Sequence, residues 1–387
     1  MITGDYPPQG GGVSDYSRMV ARGLAAVGDT VHIYSSECEG PGRDSADSVE
    51  TVTGAGGIIV HRLPGRFGPR ALVKLSRMLE RHAGERLLIQ YVPHAFGFKA
   101  MNLPFCLWLY AHTRKYGGAT VMFHEVELGI LPGDPMRYRL IDAANKLMAR
   151  LAVRSAAQIF IAASVWETIL RRYNTDGRPI TWLPVPSTIA VVDDNARIAA
   201  AKLHMVPDGG PVVGHFGTFA PAIAAMLHAI IPRVLALDST ATMILIGSNS
   251  DTFREALLSE NPALGGRIRA TGALQAEGVS LAISSCDVMM QPYPDGVSSR
   301  RTSMMAALEH VRAIITTSGP FTEPLWQQSD AVSLVRIEDA NAFAAAVGAL
   351  IGNATLRERY ATAAKALYAS RFDLRHTIEA LRTSLCG

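Results

Sequence analysis

The sequence lacks the features that mark several large protein classes. It has 4 cysteines in 387 residues. Cys38, Cys106, Cys286 and Cys386 lie far apart and form no CxxC pair. That excludes a disulfide or zinc framework and reads as reduced thiols in a cytoplasmic protein. No run of about 18 uncharged apolar residues occurs, so no membrane-spanning helix is expected, only peripheral membrane contact at most. The start lacks the basic, apolar and small-residue order of a secretion signal. Charge of one sign is also missing: the formal net charge is +3 and the arginines are scattered, which does not describe a nucleic-acid binder. No DxD occurs, and Glu127, Asp134 and Asp142 are too scattered for a metal site. The glycines at 10–12 do not make a GxGxxG, because position 15 is Asp15, so a nicotinamide or flavin cofactor is unsupported and none is expected.

What the chain does have is bulk and rhythm. Apolar residues make up 48% and charged residues 18%, as in a globular enzyme, and the length exceeds one ordinary core, so two domains are expected. Strand-like runs at 30–35, 57–62, 87–91, 120–124 and 158–162 alternate with helical patterns at 16–27, 69–82, 98–115, 136–154 and 163–173. The last of these opens at Ser164, a good N-cap residue. The second half repeats the rhythm, with strands expected at 212–216, 242–246, 267–271, 287–291 and 313–317. Helices are expected there at 220–237, 252–259, 279–284, 301–310 and 341–351. This alternation is the pattern of parallel α/β architecture. A Pro-rich break at 182–194 suggests a seam, giving domains 1–184 and 190–374, with a last helix at 376–385 in a segment, 375–387, that returns to the first domain. Ligands of such sheets sit outside the carboxyl ends of the strands. Residues 1–3 are too short for the first strand of a doubly wound sheet, which implies a trimmed edge or a start placed late.

The most informative stretch is residues 295–308, DGVSSRRTSMMAAL. Gly296, Ser298 and Ser299 permit a close backbone turn after a strand. The helix beyond it directs free N–H groups at that turn, and Arg300 and Arg301 add planar cationic donors suited to phosphate. The alternative is a capped surface helix with solvated arginines. The helical residues Met304 and Met305 read as core. Gly10, Gly11 and Gly12 before the first helix are either a second phosphate-facing loop or a plain turn. His124 ends a strand beside Glu125 and is either a site histidine or one satisfied in the core. His94, in a loop with an aromatic wall, is either an acceptor contact or packing. Arg18 and Arg22 read as solvated.

Taken in order, these fragments resemble the GT-B glycosyltransferases of the retaining family-4 type. The opening GDYPPQGGGVSDY at 4–16 is similar to the family's donor-phosphate loop, which lies near the acceptor. Phe123-His124-Glu125 stands where the family carries a histidine. Residues 214–219, GHFGTF, resemble the first strand and loop of the donor domain, and LIGS at 245–248 its second strand. PYPDG at 292–296 resembles the start of the Glu-x7-Glu motif, and Thr317-Ser318-Gly319 with Glu323 resembles the family's next segment. The resemblance implies two Rossmann-like domains facing each other across a cleft. It also implies metal-independent, retaining transfer of a sugar from a nucleoside diphosphate to a hydroxyl of a glycan, lipid-linked or small-molecule acceptor. His124, Asp295, Arg300 and Arg301 would then be catalytic. Gly11, Gly12, Glu125, Gly217, Thr218, Gly247, Gly296, Ser298, Ser299, Ser303 and Glu323 would line the donor, and His94 and Tyr16 the acceptor. The chain departs from the pattern: Asp295 and Ser303 replace the two glutamates, and His215 and Ala220 stand near the family's Arg and Lys. A non-catalytic glycan- or partner-binding protein and a sugar-nucleotide epimerase of the same fold are the rival readings.

Overall fold

The computed structural model describes residues 1–36, 49–54, 56–94, 96, 101–127 and 136–383. Cys38, Asp134 and Cys386, residues 95 and 97 of the His94 loop, and the ends of two expected helices (98–100 and 384–385) lie outside the described residues. The contacts divide the chain into two compact units, Met1–Val185 with Leu374–Gly387, and Pro186–Asp373.

The first unit is built on β1 (Ile2–Thr3), α1 (Gly12–Ala26), β2 (Val31–Ser36), β3 (Val49–Gly54), β4 (Gly56–Leu63), α2 (Pro69–Glu80) and β5 (Leu88–Tyr91). It continues through α3 (Leu103–Tyr116), β6 (Ala119–Phe123), α4 (Met136–Ser155), β7 (Ala156–Ile161), α5 (Val165–Leu170) and β8 (Ile180–Trp182). The sheet runs β3-β4-β2-β1-β5-β6-β7-β8, parallel except for the β3–β4 pair. Ile2–Thr3, expected to be too short for the first strand, is a strand and a central one, paired with β2 on one side and β5 on the other. Ser164 stands at the N-cap position of α5, as expected, in a helical conformation and without a side-chain capping bond.

The second unit contains α6 (Asn195–Met205), β9 (Val212–Phe216), α7 (Pro221–Leu237), β10 (Thr242–Ile246), α8 (Ser250–Glu260), β11 (Ile268–Ala270) and α9 (Ala276–Ser284). Next come β12 (Val288–Gln291), α10 (Thr302–Glu309), β13 (Ala313–Ser318), α11 (Pro324–Gln328), β14 (Ser333–Arg336), α12 (Ala340–Gly352) and α13 (Ala354–Leu367). Its all-parallel sheet runs β11-β10-β9-β12-β13-β14. β10 and β12 are buried along their whole length, as strands covered on both faces must be. Leu227, Ile231, Val234, Met243, Leu245 and Met290 lie in the core cluster between this sheet and its helices.

A last helix, α14 (Leu374–Thr383), belongs to the first unit and packs on α1. Gly23 makes the contact possible: a Cβ there would lie 2.6 Å from Ile378 Cδ1. Arg382 adds an ion pair to Asp29 at 3.4 Å. In both sheets the strand order reverses beside one strand, between β1 and β5 and between β9 and β12. The loops that leave those strand ends are where α/β proteins bind ligands.

Candidate active site

In the second unit the candidate site is the loop between β12 and α10. Gly296 turns it with φ 85°, and a Cβ there would lie 2.4 Å from Gly319 N, so only glycine fits. Val297 N donates to Thr317 O at 2.8 Å, Tyr293 N to Thr317 Oγ1 at 2.7 Å, and Phe321 N to Asp295 O at 2.9 Å, which ties the loop to the end of β13. Arg300 Nη2 donates to Asp295 Oδ2 at 2.6 Å, and Arg301 Nη2 to Asp295 Oδ1. Two guanidinium groups thus share one carboxylate. Each lies against an aromatic ring, Arg300 over Phe321 at 5.8 Å and Arg301 over Tyr293 at 4.8 Å. Arg301 is also the N-cap of α10 and gives it no side-chain capping bond. Its Nε and the Ser298 hydroxyl are buried without a hydrogen-bond partner. A buried donor without a partner, two cationic side chains and an uncapped helix start are features with which a loop can hold an anion.

Several expected ligand contacts are used up inside the protein. The buried Glu323 carboxylate accepts from Ser299 N at 2.8 Å, Ser299 Oγ at 2.5 Å and Trp326 Nε1 at 2.7 Å. It braces the loop through Ser299 and Trp326. Ser303 Oγ shares a 2.9 Å hydrogen bond with the Tyr293 hydroxyl. Gly217 is half-buried and Thr218 exposed after β9. Gly247 is a packing glycine, since a Cβ there would lie 2.1 Å from Gly217 O. His215 is buried, with Nδ1 donating to Met290 O at 2.9 Å, and burial lowers its pKa to about 4. It supplies no positive charge at neutral pH.

In the first unit, α1 starts at the Gly10–Gly12 turn with Gly11 as N-cap and no side-chain capping bond. A Cβ on Gly10 or Gly11 would meet nothing within 4 Å, so open space lies beside both. The loop before it is held by a residue that sequence reasoning missed. Arg62 of β4 is buried and donates to Tyr6 O at 3.0 Å, to Ser35 Oγ at 2.9 Å and to Pro7 O. An arginine inside the apolar run of 58–63 was the available signal, since a buried guanidinium must spend its donors.

His124 ends β6 with 6% of its surface exposed. Its Nε2 donates to Gln90 Oε1 at 2.8 Å, Tyr16 meets its ring edge-on at 4.7 Å, and Trp166 Nε1 donates to its carbonyl at 3.0 Å. Burial lowers its pKa to about 3, so the ring is neutral in ordinary conditions. The ring is thus held inside the unit, with Nε2 spent on Gln90. Tyr16 is buried as well. Glu125 is half-buried beside it and His94 is exposed in the turn after β5. Among the described residues no group of three or more His, Cys, Asp or Glu could hold a metal, and no helix is long and apolar enough to cross a membrane. Cys106 and Cys286 are free and buried.

Two parallel α/β units with these strand orders give the chain the GT-B architecture of glycosyltransferases. Residues 210–353 match the family model described as Glycosyl transferases group 1. Similar solved structures include a sucrose-phosphate synthase (tll1590) from Thermosynechococcus elongatus, at 16% identity and a TM-score of 0.70, covering 98% of this chain and 94% of that one. Anabaena Alr3699/HepE in complex with UDP and glucose is similar at 14% identity and 0.69, covering 100% and 98%. An alpha,alpha-trehalose-phosphate synthase (UDP-forming) from Burkholderia xenovorans, in complex with glucose-6-phosphate, is similar at 11% identity and 0.68, covering 100% and 99%. No curated protein matches the sequence.

Proposed function

We propose that the chain transfers a sugar from a nucleoside diphosphate to an acceptor hydroxyl, with retention of anomeric configuration and without a metal or other cofactor. The observation that carries this is the loop before α10: Arg300 and Arg301 beside the uncapped helix start, within the residues that match the glycosyl transferases group 1 model. The second unit holds the donor and the first receives the acceptor. The bond between the anomeric carbon and the leaving diphosphate oxygen breaks as the acceptor oxygen bonds the same face of that carbon. The acceptor proton passes to the leaving phosphate, so no side-chain base is required. Arg300, Arg301 and the first amides of α10 stabilise the charge that builds on the diphosphate. They take over the task of the family's Arg and Lys, whose places His215 and Ala220 occupy. Asp295 keeps the two guanidinium groups apart and aimed, and His124 supports α1 through Tyr16.

A panel of UDP, GDP, ADP and dTDP in a thermal-shift assay, followed by the matching sugar nucleotides and acceptors, tests the reading. Binding of one diphosphate, transfer that survives chelator, and an unchanged anomeric configuration in the product are expected. One observation favours a second reading, a binding protein without turnover: Ser303 and Asp295, which stand at the motif's two carboxylate positions, are both engaged internally. Donor binding with neither transfer nor hydrolysis would select it.

A further inference from the structure

Basic residues that lie scattered along the sequence gather on one side of the first unit. α2, α3 and α4 connect β4 to β5, β5 to β6 and β6 to β7, all in the same direction across the sheet, so right-handed crossovers place the three on one face. α3 packs on α2, where Trp108 Nε1 donates to Ser76 Oγ at 2.8 Å. It also packs on α4, where Asn102 N at the start of α3 donates to Met148 Sδ at 3.3 Å. α2 holds three lysine and arginine residues, α3 two and α4 five, against the acids Glu80 and Asp142 alone. That excess is larger than the formal net charge of +3 for the whole chain, so the remainder of the protein is net acidic. Asp142 is moreover paired with Lys146 at 2.6 Å.

The outer stripes of these helices interleave the cations with aliphatic side chains. On α2, Val73 stands one turn from Arg70 and one turn from Arg77, and all three are exposed. α3 exposes Leu107 two turns before Arg114. On α4, Leu140, Leu147, Arg150 and Arg154 are exposed at spacings of seven, three and four, which puts them on one line along the helix. Val73 is 54% exposed, Leu107 51%, Leu140 72% and Leu147 42%. Cations alone would suit any polyanion, and aliphatic side chains held in water among them add nothing to such a contact. Nucleic acid would call for aromatic rings to stack on bases. A bilayer surface uses both groups, because headgroup phosphates pair with guanidinium and the acyl boundary beneath them receives Leu and Val.

We propose that the outer face of α2, α3 and α4 docks on a bilayer surface that contains anionic phospholipid. The arginines meet headgroup phosphates, and Val73, Leu107, Leu140 and Leu147 enter the acyl boundary. The contact is peripheral and reversible, and it does not depend on the phosphate role of the loop before α10.

Co-sedimentation of the full chain with vesicles tests this, using phosphatidylcholine alone and an equimolar mixture with phosphatidylglycerol. The chain should bind the mixed vesicles, more weakly as salt rises, and leave phosphatidylcholine vesicles unbound. Arg77→Ala, Arg150→Ala and Arg154→Ala combined should lower affinity for mixed vesicles by about 100-fold. Leu140→Ser with Leu147→Ser should lower it by about 10-fold. All five side chains are exposed, so both variants should keep the parent's Tm, which separates docking from folding. Absence of binding to mixed vesicles, or equal binding by the parent and the arginine variant, would overturn the proposal. So would a leucine variant that binds as tightly as the parent, which would make the face a surface for a soluble polyanion.

Discussion

Replacement of Arg301 by alanine should weaken binding of the preferred nucleoside diphosphate by about 10- to 150-fold. Its guanidinium carries a buried Nε–H without a partner, one N–H already given to Asp295, and a full charge held over Tyr293. A phosphate oxygen that takes the free donor gains a charge-assisted bond, worth about 1.5–3 kcal/mol when removed, and each 1.4 kcal/mol is a factor of ten. Arg300→Ala should act in the same direction. Arg301→Lys should recover part of the loss, since it restores the charge without the planar fork. Calorimetry at two salt concentrations is the assay, with circular dichroism to show that the loop variant remains folded. Wild-type affinity should fall as salt rises, and the Arg301→Ala difference should shrink with it. If both alanine variants bind as tightly as the parent, the loop does not hold phosphate and the donor-site reasoning fails.

The remaining expectations concern the supports of the site. Glu323→Gln removes the charge from a carboxylate that accepts three hydrogen bonds and turns an amide N–H₂ toward donors. It should cost about 2–4 kcal/mol, read as a lower unfolding midpoint in denaturant, and weaken nucleotide binding in step; unchanged stability would mean that the brace does not hold the loop. His124→Ala leaves Gln90 Oε1 without its donor and Tyr16 without its edge contact, and should destabilise the first unit by about 1–3 kcal/mol with nucleotide affinity unchanged. Loss of nucleotide binding with full stability would return the residue to the donor site. Burial lowers the pKa values of His124 to about 3 and of His215 and His310 to about 4, below the unfolded value near 6.5. Their neutral forms stabilise the fold above about pH 6.5, and that contribution is lost as pH falls toward 4, at up to about 1.4 kcal/mol per pH unit for each. Denaturant unfolding that gives equal stability at pH 7 and pH 5 would contradict the burial of these rings.

The sequence was most legible where a strand is buried on both faces. β10 is an apolar run after Thr242 and β9 opens on Val212-Val213, and their ends at 212–216 and 242–246 are as expected from the sequence. It was least legible at the sheet margins. β8 has three residues and β14 four, neither fully buried, so neither makes a run that stands out from a loop. α6 and α13 escaped for a related reason. α6 buries no residue and α13 only Ala364, so neither shows an apolar stripe. The readable signals there were the caps, since Asp194 accepts from Arg197 N and Asn353 from Leu356 N. β1 failed in the opposite sense: two residues carry no period at all, and only the neighbours on either side make them a strand.

The site divides along the same line between local and distant partners. Gly296, the two arginines and the start of α10 are consecutive in the chain, so a strand–turn–helix pattern displays them. Which groups are spent and which remain open depends on residues far away. Glu323 lies 24 positions beyond Ser299, and Arg62 lies 56 beyond the Tyr6 carbonyl it holds. The resemblance placed Glu323 and Ser299 at the ligand, and the structure shows Glu323 bonded to Ser299 and Trp326. The same accounting singles out Arg301 and Ser298, because a buried donor left over after every internal partner is counted is costly to maintain without something to receive it. His215 illustrates the converse. It stands where a cation would be sought, but with Nδ1 given to Met290 O and a pKa of about 4 it is a neutral packing group. β12 is the strand paired directly with β9, and the loop that leaves it carries both arginines.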